Sequence, residues 1–167
     1  MGDYISSEYF LDLLKQNQID VVAIDLPGFG ANKNEPAPAN KVSYINSYFP
    51  SSDFILVSPS MSGAYSLPFL FEKPERLAGF VPVAPVGTER FPTEKFESLQ
   101  VPTLVIYGQL DRGLGVKSAA KLTKIPNSET LVIPNGKHPC YLDDPDLFHE
   151  KLIAFVKSRP HGLYNKH

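Results

Sequence analysis

Along this chain, short runs of β-branched and aromatic residues alternate with stretches whose apolar positions recur at helical spacing. The runs at residues 21–26, 54–57, 80–84, 103–107 and Glu129–Ile133 predict strands. Helices are predicted over residues 8–16, Lys41–Tyr48, 64–71, 93–99, 116–122 and Pro145–Lys157, the last with Leu147, Phe148, Leu152, Phe155 and Val156 as its apolar face. Residues 32–39 are polar and proline-rich and read as a loop, after which Asn40 is placed to cap the next helix. The strand runs do not alternate between apolar and polar, so each is expected to be covered on both faces. Strands of that kind separated by helices predict an α/β architecture with a mostly parallel sheet.

Length changes this picture in one respect. A chain of 167 residues suits one core, so residues 1–158 are expected to form a single domain and residues 159–167 a polar tail. A hydrophobic fraction of 43%, a charged fraction of 20% and a net charge of −2 are those of a globular protein and give no electrostatic case for nucleic acid. No apolar run is long enough to span a bilayer, and the first residues lack a signal-peptide order, so the expected compartment is the cytoplasm, with the nucleus also open to it. The lone cysteine, Cys140, allows no internal disulfide, and His138-Pro139-Cys140 lacks the second ligand pair of a metal site; the expectation is a small buried side chain and no metal.

Chemistry enters at Ser58-Pro59-Ser60-Met61-Ser62-Gly63, between a predicted buried strand and a predicted helix. A serine flanked two residues away on each side by small residues at a strand-to-helix turn has the arrangement of a nucleophile elbow, which makes Ser60 the candidate nucleophile. A serine hydroxyl needs an imidazole to take its proton and a carboxylate to orient that imidazole. Asp111 lies just past a strand end and His138 in the loop after the last strand, both where the C-terminal edge of a parallel sheet would bring them beside the elbow. Each also has a plainer reading: Ser60 as part of an ordinary Ser-rich turn, Asp111 before Arg112-Gly113 as a turn residue, His138 as a surface histidine. His149, His161 and His167 are read as surface histidines.

These residues resemble the α/β-hydrolase fold and, more narrowly, the α/β-hydrolase-domain-containing protein 14 family. Asp25-Leu26-Pro27-Gly28-Phe29-Gly30 is general to the superfamily. More specific are the Ser-Pro-Ser elbow, Tyr65-Ser66-Leu67-Pro68-Phe69-Leu70, Gly79-Phe80-Val81-Pro82-Val83-Ala84-Pro85 and His138-Pro139-Cys140-Tyr141-Leu142. The resemblance implies Ser60 as nucleophile, Asp111 as orienting acid, His138 as base and the Met61 N–H as an oxyanion donor. It implies small acyl esters as substrates, no required cofactor and, for part of the family, transfer of an acetyl group from acetylated lysine to coenzyme A. The short connection at residues 85–92 leaves no room for an inserted lid and favours small acyl groups, with Pro85, Val86, Leu110 and Tyr141 expected near the acyl group.

Against the family pattern the chain opens late, after the point where family members carry further strands, one of them ending in a His-Gly turn, so a partial domain is expected. One absent strand would lie between residues 21–26 and 54–57, leaving two strand edges without that neighbour. The absent turn would carry a second oxyanion donor, whose loss costs about 100- to 1000-fold in turnover. An N-terminal membrane anchor, which only some family members have, would also belong to that region. The alternative function is accordingly a catalytically impaired module that binds a protein partner by strand addition at the open sheet edge. Epoxide hydrolase or dehalogenase chemistry on the same fold is disfavoured, because it needs a carboxylate at the position of Ser60.

Overall fold

In the computed structural model of this chain, residues 7–49 and 53–159 are described. Contacts divide the chain after Ala39 into two compact units, the larger spanning Asn40–Arg159. The tail expected over residues 159–167 lies, beyond Arg159, outside the described residues.

In the smaller unit α1 covers Ser7–Gln16. Gln18, at a φ of 59°, ends the helix in a left-handed turn, with Ile19 N–H bonded to the Leu14 carbonyl and Gln18 N–H to that of Lys15. The strand expected at residues 21–26 does not form: the segment carries no ladder, and Val22 is 56% exposed. A β-branched run favours extension, but a strand exists only where a neighbour's N–H and C=O groups complete it, and none among the described residues does so. The unit instead closes on Asp25, whose carboxylate accepts from Ala31 N–H at 2.9 Å, ahead of a 3₁₀ turn at Gly30–Asn32.

The larger unit is a four-stranded, all-parallel sheet in which spatial order follows chain order: β1 (Phe54–Pro59), β2 (Leu77–Val83), β3 (Leu104–Gly108) and β4 (Glu129–Ile133). The helices are α2 (Lys41–Tyr48), α3 (Gly63–Glu72), α4 (Thr93–Glu97), α5 (Leu114–Leu122), the short α6 (Cys140–Asp143) and α7 (Pro145–Lys157). Two of them start where the capping chemistry dictates. Asn40 Oδ1 accepts from Ser43 N–H at 2.9 Å, and Asp144 Oδ1 accepts from Leu147 N–H at 3.1 Å with Pro145 at the first helical position.

Alternation along β1 shows that the sheet is covered on both sides. Phe54 turns its ring to Phe69 of α3 (5.6 Å between centroids), whereas its neighbour Ile55 pairs with Gly79, on which the ring of Phe155 from α7 rests. A Cβ at Gly79 would stand only 3.0 Å from that ring, so glycine there sets how closely α7 lies on the sheet. Between β2 and β3 the ladder is interrupted. Phe80 N–H reaches the Pro102 carbonyl and Ala84 N–H that of Ile106, and the rung between them is missing because Pro82 has no N–H to give. Phe69, Phe80, Phe96, Ile106, Leu122 and Leu152 are among the fully buried side chains of this core.

Leu152 joins α7 to that core at 1% exposure. Leu152→Ala is expected to lower stability by about 2–5 kcal/mol in urea unfolding, against less than about 0.5 kcal/mol for the exposed Val132→Ala.

Candidate active site

β1 ends at Pro59, and the chain turns at Ser60 with a φ of 44° before continuing into a 3₁₀ turn, Ser60–Ser62, and α3. That region is sterically costly for a residue with a Cβ and persists only where the surroundings enforce it. Two contacts do so. Val86 N–H donates to the Ser60 carbonyl at 2.9 Å, and Gly63 lies so close to the loop after β2 that an added Cβ would stand 2.7 Å from Pro85 Cβ and collide with the Val86 carbonyl. The loop is itself held in an uncommon conformation, with Ala84 at a φ of 45° and Gly87 at 91°.

The C-terminal ends of β3 and β4 are tied together next to this turn. Gln109 N–H donates to the Ile133 carbonyl at 3.0 Å, Leu110 N–H to that of Gly136 at 2.7 Å, and Asn135 N–H to Gln109 Oε1 at 3.0 Å. Gly108 permits the approach, since a side chain there would run into the carbonyls of Gly136 and Lys137. Lys137 N–H is anchored by Asp143 Oδ2 at 2.6 Å. The result is a linear arrangement: Ser60 Oγ lies 2.8 Å from His138 Nε2, and His138 Nδ1 lies 2.8 Å from Asp111 Oδ2. The three groups, 78 and 27 residues apart along the chain, meet in one hydrogen-bonded row.

The electrostatics of the row are asymmetric. The Asp111 side chain is 8% exposed and that of His138 41%. Burial pushes the Asp111 carboxyl up, but the hydrogen bond from His138, the Gly115 and Leu114 N–H groups at the start of α5 and the nearby imidazole together leave it below the ordinary carboxylate value. Gly115 has no side chain to displace that carboxylate, whose Oδ2 would stand 2.8 Å from a Cβ. The acid of the row is therefore ionised at neutral pH and can fix the Nδ1–H tautomer of His138, which leaves Nε2 free to accept the Ser60 proton.

Other expectations meet different outcomes. Pro85 and Val86 lie against the elbow as described, Met61 and Leu110 are exposed, and the Tyr141 ring leans on Phe148 at 5.9 Å. Cys140 is fully buried, and burial pushes its thiol up to about 11. His149 is not a surface histidine: it is 7% exposed, edge-on to Phe148, and burial pulls its pKa down. Its spacing from Leu152 and Val156 placed it on the apolar stripe of α7, a signal overridden by the residue's usual polarity. His161 and His167 lie outside the described residues. Among the described residues, no group of three or more His, Cys, Asp and Glu side chains is disposed to hold a metal ion. A groove lined by Pro74, Glu75, Ser98, Leu99, Gln100 and Val101 contains none of the three aligned residues.

Comparison with known proteins bears on this arrangement. No family model matches the chain. It is 38% identical over 156 residues to Protein ABHD14A of Rattus norvegicus, covering 90% of this chain and 64% of that protein. It is 37% identical over 169 residues to a Homo sapiens protein named "Putative protein-lysine deacylase ABHD14B", covering 93% of this chain and 80% of that one. The chain belongs to the ABHD14 family of α/β hydrolases. It spans 64% of the length of the rat ABHD14A protein. The fold is that of the α/β hydrolases. A point mutant of the meta-cleavage product hydrolase CumD superposes with a TM-score of 0.76 at 15% identity over 94% of this chain and 86% of its own. A Thermoplasma acidophilum protein described as a "predicted CIB-like hydrolase" does so with a TM-score of 0.69 at 19% identity over 80% and 69%.

The depressed Asp111 carboxyl favours the folded state above the ordinary unfolded carboxylate pKa of about 3.9, and that contribution is lost as pH falls through the lower folded value. Asp111→Asn is therefore expected to be less stable than the parent chain at pH 7, with the difference shrinking as pH falls below the unfolded carboxylate value of about 3.9. Thermal unfolding of both forms across that range checks it.

Proposed function

We propose that this ABHD14 family member is a serine hydrolase or acyltransferase that carries small acyl groups, acetyl above all, on Ser60. The observation that supports this reading is the pair of 2.8 Å contacts running from Ser60 Oγ through His138 to Asp111. His138 Nε2 takes the hydroxyl proton as Ser60 Oγ attacks the acyl carbonyl, and the ionised Asp111 stabilises the imidazolium that forms. Met61 follows the nucleophile at the start of a helical turn, where backbone N–H groups have no intrahelical partner, and its N–H is the elbow's donor to the developing oxyanion. Collapse of the tetrahedral intermediate passes the proton from His138 to the departing alcohol or amine and leaves an ester on Ser60. A second nucleophile then removes the acyl group with His138 as base.

The acyl acceptor distinguishes hydrolase from transferase. Water gives a free acid; a thiol such as that of coenzyme A gives a thioester and acts as second substrate, not as a resident cofactor. An acetylated lysine is a chemically reasonable donor, in keeping with the deacylase name of the Homo sapiens relative. The short 85–92 connection favours a small acyl group over a long lipid chain.

A second reading follows from β1. Among the described residues β1 pairs on one side only, with β2, and its Val57 is exposed. A partner protein that adds a strand there would make this chain an interaction module. That reading expects concentration-dependent association by sedimentation and no reaction with active-serine probes.

The two readings separate in one assay. A fluorophosphonate probe is expected to label the chain, and Ser60→Ala to abolish labelling; persistent labelling of the alanine variant refutes Ser60 as nucleophile. Turnover of p-nitrophenyl acetate is expected to fall about 10⁴-fold in Asp111→Asn, because the wrong tautomer of His138 is then favoured.

A further inference from the structure

Behind the nucleophile lies a row of hydroxyl groups that the acyl-transfer steps do not use. Ser58 Oγ is 2.5 Å from Ser66 Oγ and 3.0 Å from Ser62 Oγ, and Ser62 Oγ donates to the Pro59 carbonyl at 2.6 Å. Ser58 and Ser66 are buried at 0% and 1% exposure. Each hydroxyl has one proton, and a carbonyl only accepts. The Ser62 proton is thus committed to Pro59. The Ser58–Ser62 contact then requires Ser58 as donor, and the Ser58–Ser66 contact requires Ser66. One proton order satisfies all three bonds: Ser66 to Ser58 to Ser62 to the Pro59 carbonyl. Each member polarises the next, from the buried Ser66–Ser58 pair out to the exposed Ser62–Pro59 bond.

The end point of this row is informative. The Pro59 carbonyl belongs to the peptide plane on the N-terminal side of the Ser60 Cα, and the Ser60 carbonyl, held by Val86 N–H at 2.9 Å, belongs to the plane on its C-terminal side. Fixing both planes fixes φ and ψ of the one residue between them, the residue at a φ of 44°. We infer that Ser66, Ser58 and Ser62 are positioning residues that, together with the Val86 N–H, clamp both peptide planes of Ser60 and so aim its hydroxyl at His138. The inference rests on the reading of Ser60 as nucleophile. It assigns the flanking serines a role beyond being small. Alanine or glycine would meet the steric demand of the elbow, whereas buried hydroxyls are costly unless bonded and here every one is bonded.

Position 62 is half-buried, so its variants should fold, and the series Ser62→Ala, Ser62→Thr and Ser62→Val separates hydroxyl from size. Thr keeps the hydroxyl on a branched side chain, and Val has the same shape without it. With p-nitrophenyl acetate, kcat is expected to fall about tenfold in Ala and to be about tenfold lower in Val than in the equally bulky Thr, with KM unchanged in all three, because the clamp orients the nucleophile and does not bind substrate. Ser66→Ala, which removes only the first donor, is expected to fall about two- to threefold. Equal losses in Thr and Val would reduce Ser62 to a steric role and overturn the inference, as would an unchanged kcat in Ala. Amide hydrogen exchange at Gly63 and Val86, both of which donate to the Ser60 carbonyl, reads the clamp without catalysis. Exchange is expected to quicken in Ala and Val but not in Thr, and uniform rates overturn the clamp. If the parent chain is not labelled by a fluorophosphonate, the nucleophile reading fails by itself and the exchange rates still decide the clamp.

Discussion

A serine held at a φ of 44° between a strand and a helix is the constraint around which the larger unit is arranged. Left to itself such a residue relaxes to a negative φ, so the turn endures only through groups drawn from elsewhere in the chain. The parallel register of β1 and β2 runs to Pro59 opposite Val83, which brings the loop after β2 alongside the turn. Gly63 allows the backbone of that loop to touch it, and Val86 N–H completes the contact. Removing the side chain at one position and placing a strained loop at another are both conditions for presenting one hydroxyl above the sheet edge.

The same logic of close backbone approach governs the acid and the imidazole. Gly108 lets the loop after β4 lie across the end of β3, and Gly115 lets the first turn of α5 approach the Asp111 carboxylate. The result is a buried, ionised acid behind a half-exposed histidine, with the half-buried serine at the other end of the row. Parallel strands make this possible because all their C-terminal ends face one way, so side chains far apart in the chain share a rim.

Much of the fold was legible from the chain. Lys41–Tyr48, Glu129–Ile133 and Pro145–Lys157 form the elements that their spacing predicts, and Asn40 caps α2. Strands β1 to β3 run one to three residues beyond the apolar runs at one end or the other, because pairing with neighbours continues past the side chains that suggest it. Residues 21–26 carry a strand pattern and form none, since pattern alone provides no hydrogen-bonding neighbour. His149 is polar by type and buried by place. Ser58, Ser62 and Ser66 recur every fourth residue, yet nothing in that spacing distinguishes small flanking residues from a directed row of hydroxyls.

Sequence by itself determined the order of the strands β1 to β4 and of the helices other than the short α6, the tight turn that requires small residues, and the three residue types whose chemistry belongs together. Those follow from local periodicity, steric size and intrinsic acidity, which each segment carries wherever it lies. Only the tertiary structure decided that the imidazole reaches both partners at 2.8 Å, that the carboxyl is ionised against its own burial, and that the serine row points its protons toward Pro59. Distance, burial and proton order are properties of groups brought together across the sheet edge, and no single stretch of chain contains them.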